Sequence, residues 1–268
     1  MPFIQTETLQ LYYEQAGQGP DLLVVSGTGS DLRQKPNIMD SPLSSHFRVT
    51  SFDQRGLGQS DKPQDGYTMT AYAEDAAALM DALNIQKAHV LGISFGGMVA
   101  QELAIRHGNR IERLALWCTA AGGDGGASYP LQELADLDDE ASLHAMLKLN
   151  DTRIDEAAIA AHPDMLEAAR QRTDLSAYMH EPNWAEGRAG QLAARAMHDC
   201  WSRLDRIACP TLLMGGQHDG IAPPAVMQAM ATQIPDARLQ FYNGGHLFML
   251  QDAAVFPDVI GFFQESHA

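Results

Sequence analysis

Short apolar runs alternate with longer helical stretches along most of the chain. Apolar and polar positions alternate over residues 3–15, which predicts an edge hairpin. Continuous apolar runs, typical of strands that are covered on both faces, follow at 21–25 and 48–52, and further strands are predicted at 111–119, 211–216 and 238–242. Helices are predicted over 68–83, with Thr70 as the N-cap, near 223–233 and over 252–264. This alternation predicts an α/β fold with a mostly parallel, doubly wound sheet.

The corner around Ser94 has a more specific pattern. An apolar run ends in Gly92-Ile93-Ser94-Phe95-Gly96, and a helix-forming run begins at once. Strand, sharp turn and helix with Gly-x-Ser-x-Gly at the corner predict a nucleophile elbow, where a strained serine backbone leaves room only for small neighbours. The Ser94 hydroxyl would then be exposed at the carboxyl end of the strand. The alternative is a glycine-rich turn with an incidental serine.

The pattern changes between the predicted strands at 111–119 and 211–216. A glycine run, 122–126, leads into about eighty residues without a convincing strand, and the stretches 131–135, 142–147 and 191–197 have helical composition. We expect a helical lid, residues 122–204, inserted after the sixth strand and hinged at the glycine run. Residues 1–121 and 205–268 would form the core. Apolar lid residues such as Met146, Trp184 and Met197 are expected to set substrate choice without supplying chemistry.

Composition narrows the function classes. The 268 residues are 45% hydrophobic and contain no run of eighteen apolar residues, so neither disorder nor a membrane span is expected. Three cysteines without metal-ligand spacing and an N-terminus without a secretory signal predict a cytoplasmic protein. The net charge of −16 argues against nucleic acid and anionic membranes as partners. It also disfavours a strongly anionic substrate, unless the pocket carries local positive charge.

Five motifs in a fixed order link the chain to a known family. They are Ser26-Gly27-Thr28-Gly29, Asp53-Gln54-Arg55-Gly56-Leu57-Gly58-Gln59-Ser60, the Ser94 elbow with Gly97, Gly216-Gln217-His218-Asp219, and Gly244-Gly245-His246. In these motifs the chain resembles the α/β-hydrolase superfamily, in particular its serine esterase and enol-lactonase-like branch. The resemblance implies a triad in the chain order serine, acid, histidine.

The triad residues carry over motif by motif. The nucleophile would be Ser94, the acid Asp219 and the base His246. A backbone oxyanion hole would use the N–H groups of Thr28 and Phe95. The family often has His-Gly where this chain has Ser26-Gly27, but the residue after Gly27 still offers its N–H.

The chemistry asks for the same residue types. A serine hydroxyl attacks only when a base takes its proton, and an imidazole with an ordinary pKa near 6.5 can accept that proton and return it to the leaving group. A solvated pair of His218 with Asp219 is conceivable, and Asp199 and Asp205 compete weakly for the acid because neither follows a strand. We assign Asp53 and Arg55 to a structural turn.

The sequence thus predicts a soluble serine hydrolase that cleaves a carboxylic ester of a small, uncharged, hydrophobic substrate through an acyl-enzyme. No metal or cofactor is expected, because no cluster has ligand spacing. Lactone hydrolysis, C–C bond hydrolysis, cofactor-free perhydrolysis and ligand reception on the same fold remain open alternatives.

Overall fold

The structure is a computed structural model that describes residues 2–173 and 176–265. Its strands form one sheet in the order β1-β2-β4-β3-β5-β6-β7-β8. The strands are β1 (Phe3–Gln5), β2 (Gln10–Ala16), β3 (Asp21–Val25), β4 (Arg48–Phe52), β5 (Ala88–Ile93), β6 (Ile111–Trp117), β7 (Thr211–Gly216) and β8 (Ala237–Tyr242). The pairs β1 with β2 and β2 with β4 are antiparallel, and all pairs from β4 to β8 are parallel.

Helices follow most of the parallel strands. They are α1 (Met69–Ala82), α2 (Phe95–His107), α3 (Asp139–Asn150), α4 (Glu156–Ala161), α5 (Pro163–Thr173), α6 (Trp184–Ala196), α7 (Pro224–Gln233), α8 (Phe248–Gln251) and α9 (Val255–Gln264). Within the described residues, no helix has the length and apolar character that a membrane crossing needs.

The central strands of the sheet are buried on both faces, whereas β1, β2 and β8 are partly exposed. Successive side chains of a strand point to opposite faces. In β3, Leu23 and Val25 share a core with α1, α2 and α7, whereas Leu22 and Val24 share a core with α9. Each residue of such a strand therefore needs an apolar side chain. The predicted α/β fold with a mostly parallel, doubly wound sheet is confirmed.

The start of α1 differs from the sequence prediction. Thr68, rather than Thr70, is the N-cap, and its side chain accepts a hydrogen bond from the Ala71 N–H at 3.1 Å. Thr70 lies inside the first turn, where its hydroxyl accepts from the Arg106 guanidinium at 2.8 Å. Both threonines can cap a helix, so the choice depends on which hydroxyl meets another partner.

Residues 122–204, termed the inserted segment, connect β6 to β7. Its described part holds α3 to α6 and short 3-10 turns but no strand. The two ends of the segment meet, because the Cys200 N–H donates to the Ala121 carbonyl at 2.9 Å. A Cβ on Gly122 would lie 2.1 Å from the His198 carbonyl, so this part of the glycine run is closely packed where a hinge was expected. The division into core and lid remains a prediction.

Candidate active site

Ser94 occupies a strained corner between β5 and α2. Its backbone has φ 55° and ψ −116°, an unusual conformation for a residue with a side chain. The Ser94 N–H donates to the Trp117 carbonyl at 2.9 Å, and the Thr119 hydroxyl donates to the Ser94 carbonyl at 2.8 Å. A Cβ on Gly96 would lie 1.9 Å from the Val25 carbonyl oxygen, so only glycine fits there. The local structure is the predicted elbow.

Two loops at the carboxyl edge of the sheet bring polar side chains to Ser94. His246 follows β8 and Asp219 follows β7. The Nε2 atom of His246 lies 3.0 Å from Ser94 Oγ, and its Nδ1 atom lies 2.8 Å from Asp219 Oδ2. Asp219 Oδ1 accepts from the backbone N–H groups of Ile221 and Ala222, both at 2.8 Å. The three predicted side chains therefore form one hydrogen-bonded chain.

The three side chains lie beneath the surface. Relative exposure is 7% for Ser94, 7% for His246 and 3% for Asp219. In such surroundings water screens charge poorly, so the Asp219 carboxylate acts strongly on a protonated imidazole. The arrangement can therefore take a proton from the serine hydroxyl and hold the resulting cation.

Of the two residues predicted for the oxyanion hole, Phe95 directly follows Ser94 and Thr28 follows Gly27, which packs against Ser94. Phe95 is the first residue of α2. Gly27, which precedes Thr28, is so close that its built Cβ would lie 3.5 Å from Ser94 Cβ. The Phe95 ring lines no pocket, because it is fully buried and packs edge-on against the Tyr72 ring with 4.9 Å between the ring centres. A ring at the start of a helix that covers the sheet points into the core.

Asp53 and Arg55 hold the turn after β4. The Asp53 carboxylate accepts from the backbone N–H groups of Leu32 and Gln59, both at 2.8 Å, and burial raises the pKa of Asp53 to about 7. The Arg55 guanidinium binds the Asp75 carboxylate through two hydrogen bonds of 2.6 and 2.7 Å. Their contacts are structural, as the sequence indicated.

The weaker candidates for the acid lie elsewhere. Asp199 and Asp205 are both exposed, and Asp199 Oδ1 accepts from the Trp201 N–H at 3.1 Å. Asp219 is the carboxylate that meets His246.

Comparison with known proteins shows which family this fold belongs to. Residues 20–253 match the model of the α/β-hydrolase fold family. The chain belongs to the α/β-hydrolase family. It is 28% identical, over 92% of its own length and 88% of the relative's, to a 2-hydroxymuconate semialdehyde hydrolase of Pseudomonas sp. strain CF600.

Solved structures of other α/β-hydrolases agree over nearly the whole chain. The enol-lactonase from Burkholderia xenovorans LB400 is 28% identical with a TM-score of 0.78, and the similarity covers 98% of this chain and 99% of that one. A thermophilic esterase from Thermogutta terrifontis is also 28% identical with a TM-score of 0.78, over 99% and 98% of the two chains. Together these relatives support hydrolase activity and span several kinds of substrate.

In this α/β-hydrolase the inserted segment also holds the loops that carry His246 and Asp219, which the sequence did not predict. The Asn150 carbonyl, at the end of α3, accepts from the His246 N–H at 2.5 Å. The preceding carbonyl, of Leu149, accepts from the Gly220 N–H at 2.9 Å. Backbone carbonyls give no sequence signal, because every residue has one.

Side chains extend this contact between the inserted segment and the His246 loop. Gln251 Oε1 accepts from the Gly245 N–H at 2.7 Å, and Gln251 Nε2 donates to Asp151 Oδ2 at 3.1 Å. Arg153 binds the same carboxylate and lowers the pKa of Asp151. The inserted segment therefore helps to position the loop of His246.

The structure also places a thiol beside the triad. Cys118 Sγ, a His246 ring nitrogen and an Asp219 carboxylate oxygen all lie within 4.8 Å of one another. Sequence spacing did not suggest this cluster, because its members lie on three separate loops. Complete burial raises the pKa of the Cys118 thiol well above its ordinary value, which keeps it protonated.

Proposed function

We propose that this α/β-hydrolase is a serine hydrolase that cleaves a carboxylic ester through an acyl-enzyme. What supports the proposal most is the hydrogen-bonded chain from Ser94 Oγ through the His246 imidazole to the Asp219 carboxylate. The strained backbone of Ser94 supports it further, because strain at a non-glycine residue is typical of a functional corner.

The reaction follows from the roles of these groups. As Ser94 Oγ bonds to the carbonyl carbon, its proton passes to His246 Nε2 and the carbonyl oxygen becomes an oxyanion. The N–H groups of Thr28 and Phe95 would stabilise this oxyanion. His246 then gives the proton to the alcohol oxygen as the C–O bond breaks. Water repeats the sequence, and the acid leaves with Ser94 restored.

The inserted segment would form the cap of the site. We assign 122–204 to the cap and 1–121 with 205–268 to the core, as the sequence predicts. Of the apolar residues expected to shape the pocket, Met197 is 83% exposed and does not fit that role. Met146 and Trp184 are half-buried and remain candidates.

A lactone is the second candidate substrate, favoured by the similarity to the enol-lactonase. The same residues would open the ring, and the alcohol would stay attached to the acyl chain. Ester and lactone hydrolysis therefore differ in the pocket rather than in the triad, and a panel containing both substrates separates them.

The decisive experiment is Ser94→Ala assayed on methyl and p-nitrophenyl esters. We expect kcat to fall by about 10⁴-fold or more, because the nucleophile is lost while alanine fits the corner. A fluorophosphonate reagent should label Ser94 in the unaltered protein, and Ser142→Ala serves as the matched control. Loss of only a few-fold would refute the proposal. A single turnover without cycling would instead indicate a ligand receptor.

A further inference from the structure

Three polar side chains form a row on one face of α6. Arg188, Gln191 and Arg195 are spaced three and four residues apart, and residues at this spacing share a helix face. Relative exposure is 1% for Gln191 and 5% for Arg195. A charged and an amide side chain are rarely buried this completely without a purpose. The face is therefore polar where an ordinary core-facing helix is apolar.

One end of this face contacts the loop at residues 26–29, which contains Thr28 and is termed the oxyanion loop. Gln191 Oε1 accepts from the Gly29 N–H at 2.8 Å, and Gly29 is the neighbour of Thr28. Arg188 reaches the same loop, since its Nη1 atom lies 2.8 Å from the position of a Cβ built on Gly29. The Arg188 guanidinium also lies over the Trp184 ring, 4.9 Å from its centre.

The other end lies beside the loop that begins at Asp219, which is termed the acid loop. Arg195 Nη1 donates to the Ser128 hydroxyl at 2.8 Å and to the Tyr129 carbonyl at 3.2 Å. The Tyr129 N–H in turn donates to the carbonyl of Ile221, in the loop that begins at Asp219, at 2.7 Å. The polar face of α6 thus runs from the oxyanion loop to the acid loop.

Several donors along this face have no hydrogen-bond partner among the described residues. They are buried atoms with their hydrogens available: Arg195 Nε and Nη2, Gln191 Nε2 and the Thr28 hydroxyl. Burying an unsatisfied donor lowers the stability of the folded protein, and the loss is larger when the donor is charged. A buried donor of this kind needs a partner, which an ordered water, an ion or a ligand can supply.

The charge on Arg195 is also unbalanced at short range. Burial lowers the pKa of Arg195 to about 10, and the attraction of Asp219 only partly opposes this, so the side chain is a cation at neutral pH. Neither Arg188 nor Arg195 lies within ion-pair distance of a carboxylate of the described residues. Burial lowers the pKa of Arg188 as well.

We propose that Arg195, with Gln191, binds a carboxylate that the substrate carries apart from its scissile bond. The substrate class is then the half-ester, or the lactone, of an organic acid rather than an uncharged hydrophobic ester. This inference rests on the proposed ester hydrolysis. A planar guanidinium with two free donors matches a carboxylate in geometry and charge. It supplies the local positive charge that an anionic substrate needs in a protein of net charge −16.

The test compares two esters of equal length. Methyl hydrogen glutarate ends in a carboxylate and methyl pentanoate ends in a methyl group, and homologous pairs from malonate to adipate cover other lengths. We expect kcat/KM to favour at least one half-ester over its neutral partner by tenfold or more. Arg195→Gln should reduce that ratio by about 10- to 100-fold, the range for a hydrogen bond to a charged group. Exposed Arg206→Gln is the matched control and should leave the ratio unchanged.

Binding to an inactive protein separates this inference from the ester hydrolysis. In calorimetry, Ser94→Ala should bind the preferred half-ester, and Ser94→Ala with Arg195→Gln should bind it at least tenfold more weakly. Neutral esters preferred throughout the series, or a ratio that Arg195→Gln does not change, would overturn the carboxylate site while ester hydrolysis stands. Inorganic phosphate that competes as well as glutarate would overturn the assignment to a carboxylate. Arg195-dependent binding without hydrolysis of any ester would retain the site and refute the esterase.

Discussion

The two sides of the candidate active site differ in how far their buried polar groups are hydrogen-bonded. On the sheet side, Ser94, His246 and Asp219 bind one another and the backbone, so the polar groups have partners before any substrate arrives. On the α6 side, Gln191 and Arg195 have buried donors that find no partner among residues 2–173 and 176–265. In our proposals the first side carries out the chemistry and the second recognises the substrate.

The difference has a physical basis. Catalytic groups act best when already oriented, because no reorganisation is then needed as charge develops. A recognition site gains affinity from groups that the free protein leaves unsatisfied, at the expense of stability. The two sides should therefore respond differently to substitution, in activity on one side and in selectivity and stability on the other.

The largest effect is expected on the sheet side, from Asp219→Asn. The asparagine side chain favours the wrong imidazole tautomer, so we expect kcat to fall by about 10⁴-fold. The fall should be equal for methyl hydrogen glutarate and methyl pentanoate, because Asp219 serves the chemistry of both. Steady-state kinetics measure this, with exposed Asp205→Asn as control. A fall in kcat for only one of the two esters would contradict the assignment of Asp219 to the chemistry alone.

Replacing two buried arginines, Arg55 and Arg195, should change the free energy of unfolding to different extents. Arg55 is 8% exposed and pairs with Asp75, whereas Arg195 is 5% exposed and pairs with no carboxylate in the part of the chain that the structure describes. Removing one partner of a buried ion pair leaves the other uncompensated, so Arg55→Gln should lower the free energy of unfolding by about 3 kcal/mol or more. Arg195→Gln should leave it unchanged or raise it. Urea denaturation followed by circular dichroism measures both, and equal losses would contradict the unbalanced state of Arg195.

A smaller effect is expected from Asp151→Asn. Asp151 accepts from Gln251, which in turn accepts from the backbone N–H next to His246. Loosening this support should lower kcat by about tenfold, the lower end of what is measured when groups that support functional residues are changed. The neutral ester and the half-ester should lose equally. If only the half-ester lost activity, Asp151 would belong to recognition rather than to the support of His246.

More of the contacts on the sheet side than on the α6 side could be predicted from the sequence. Ser94, Asp219 and His246 each follow a strand in a short motif, and parallel strands end at one edge, so local patterns predict their meeting. The partners of Arg195 depend on how α6 packs over the sheet, which no local pattern encodes. The spacing of 188, 191 and 195 was readable, but alone it is also typical of a solvated helix face. The contact of the Asn150 carbonyl with the His246 N–H could not be predicted from the sequence, because every residue has a backbone carbonyl.

Metal removal should have the smallest effect. The cluster of Cys118, Asp219 and His246 has atoms close enough to share an ion. However, the raised pKa of Cys118 keeps its thiol protonated, and a metal needs the thiolate. An ion would also have to break the hydrogen bond between His246 Nδ1 and Asp219 Oδ2. Binding there therefore opposes the activation of Ser94.

We accordingly expect dialysis against EDTA to leave kcat unchanged on both esters, because neither the sheet side nor the α6 side uses an ion. Cys118→Ala should show the same insensitivity to EDTA, which controls for the thiol. Loss of activity on EDTA treatment, restored by adding Zn²⁺, would contradict this expectation. Such a loss in the unaltered protein but not in Cys118→Ala would assign the cluster a direct part in the reaction, and the sheet side would then need a ligand as much as the α6 side does.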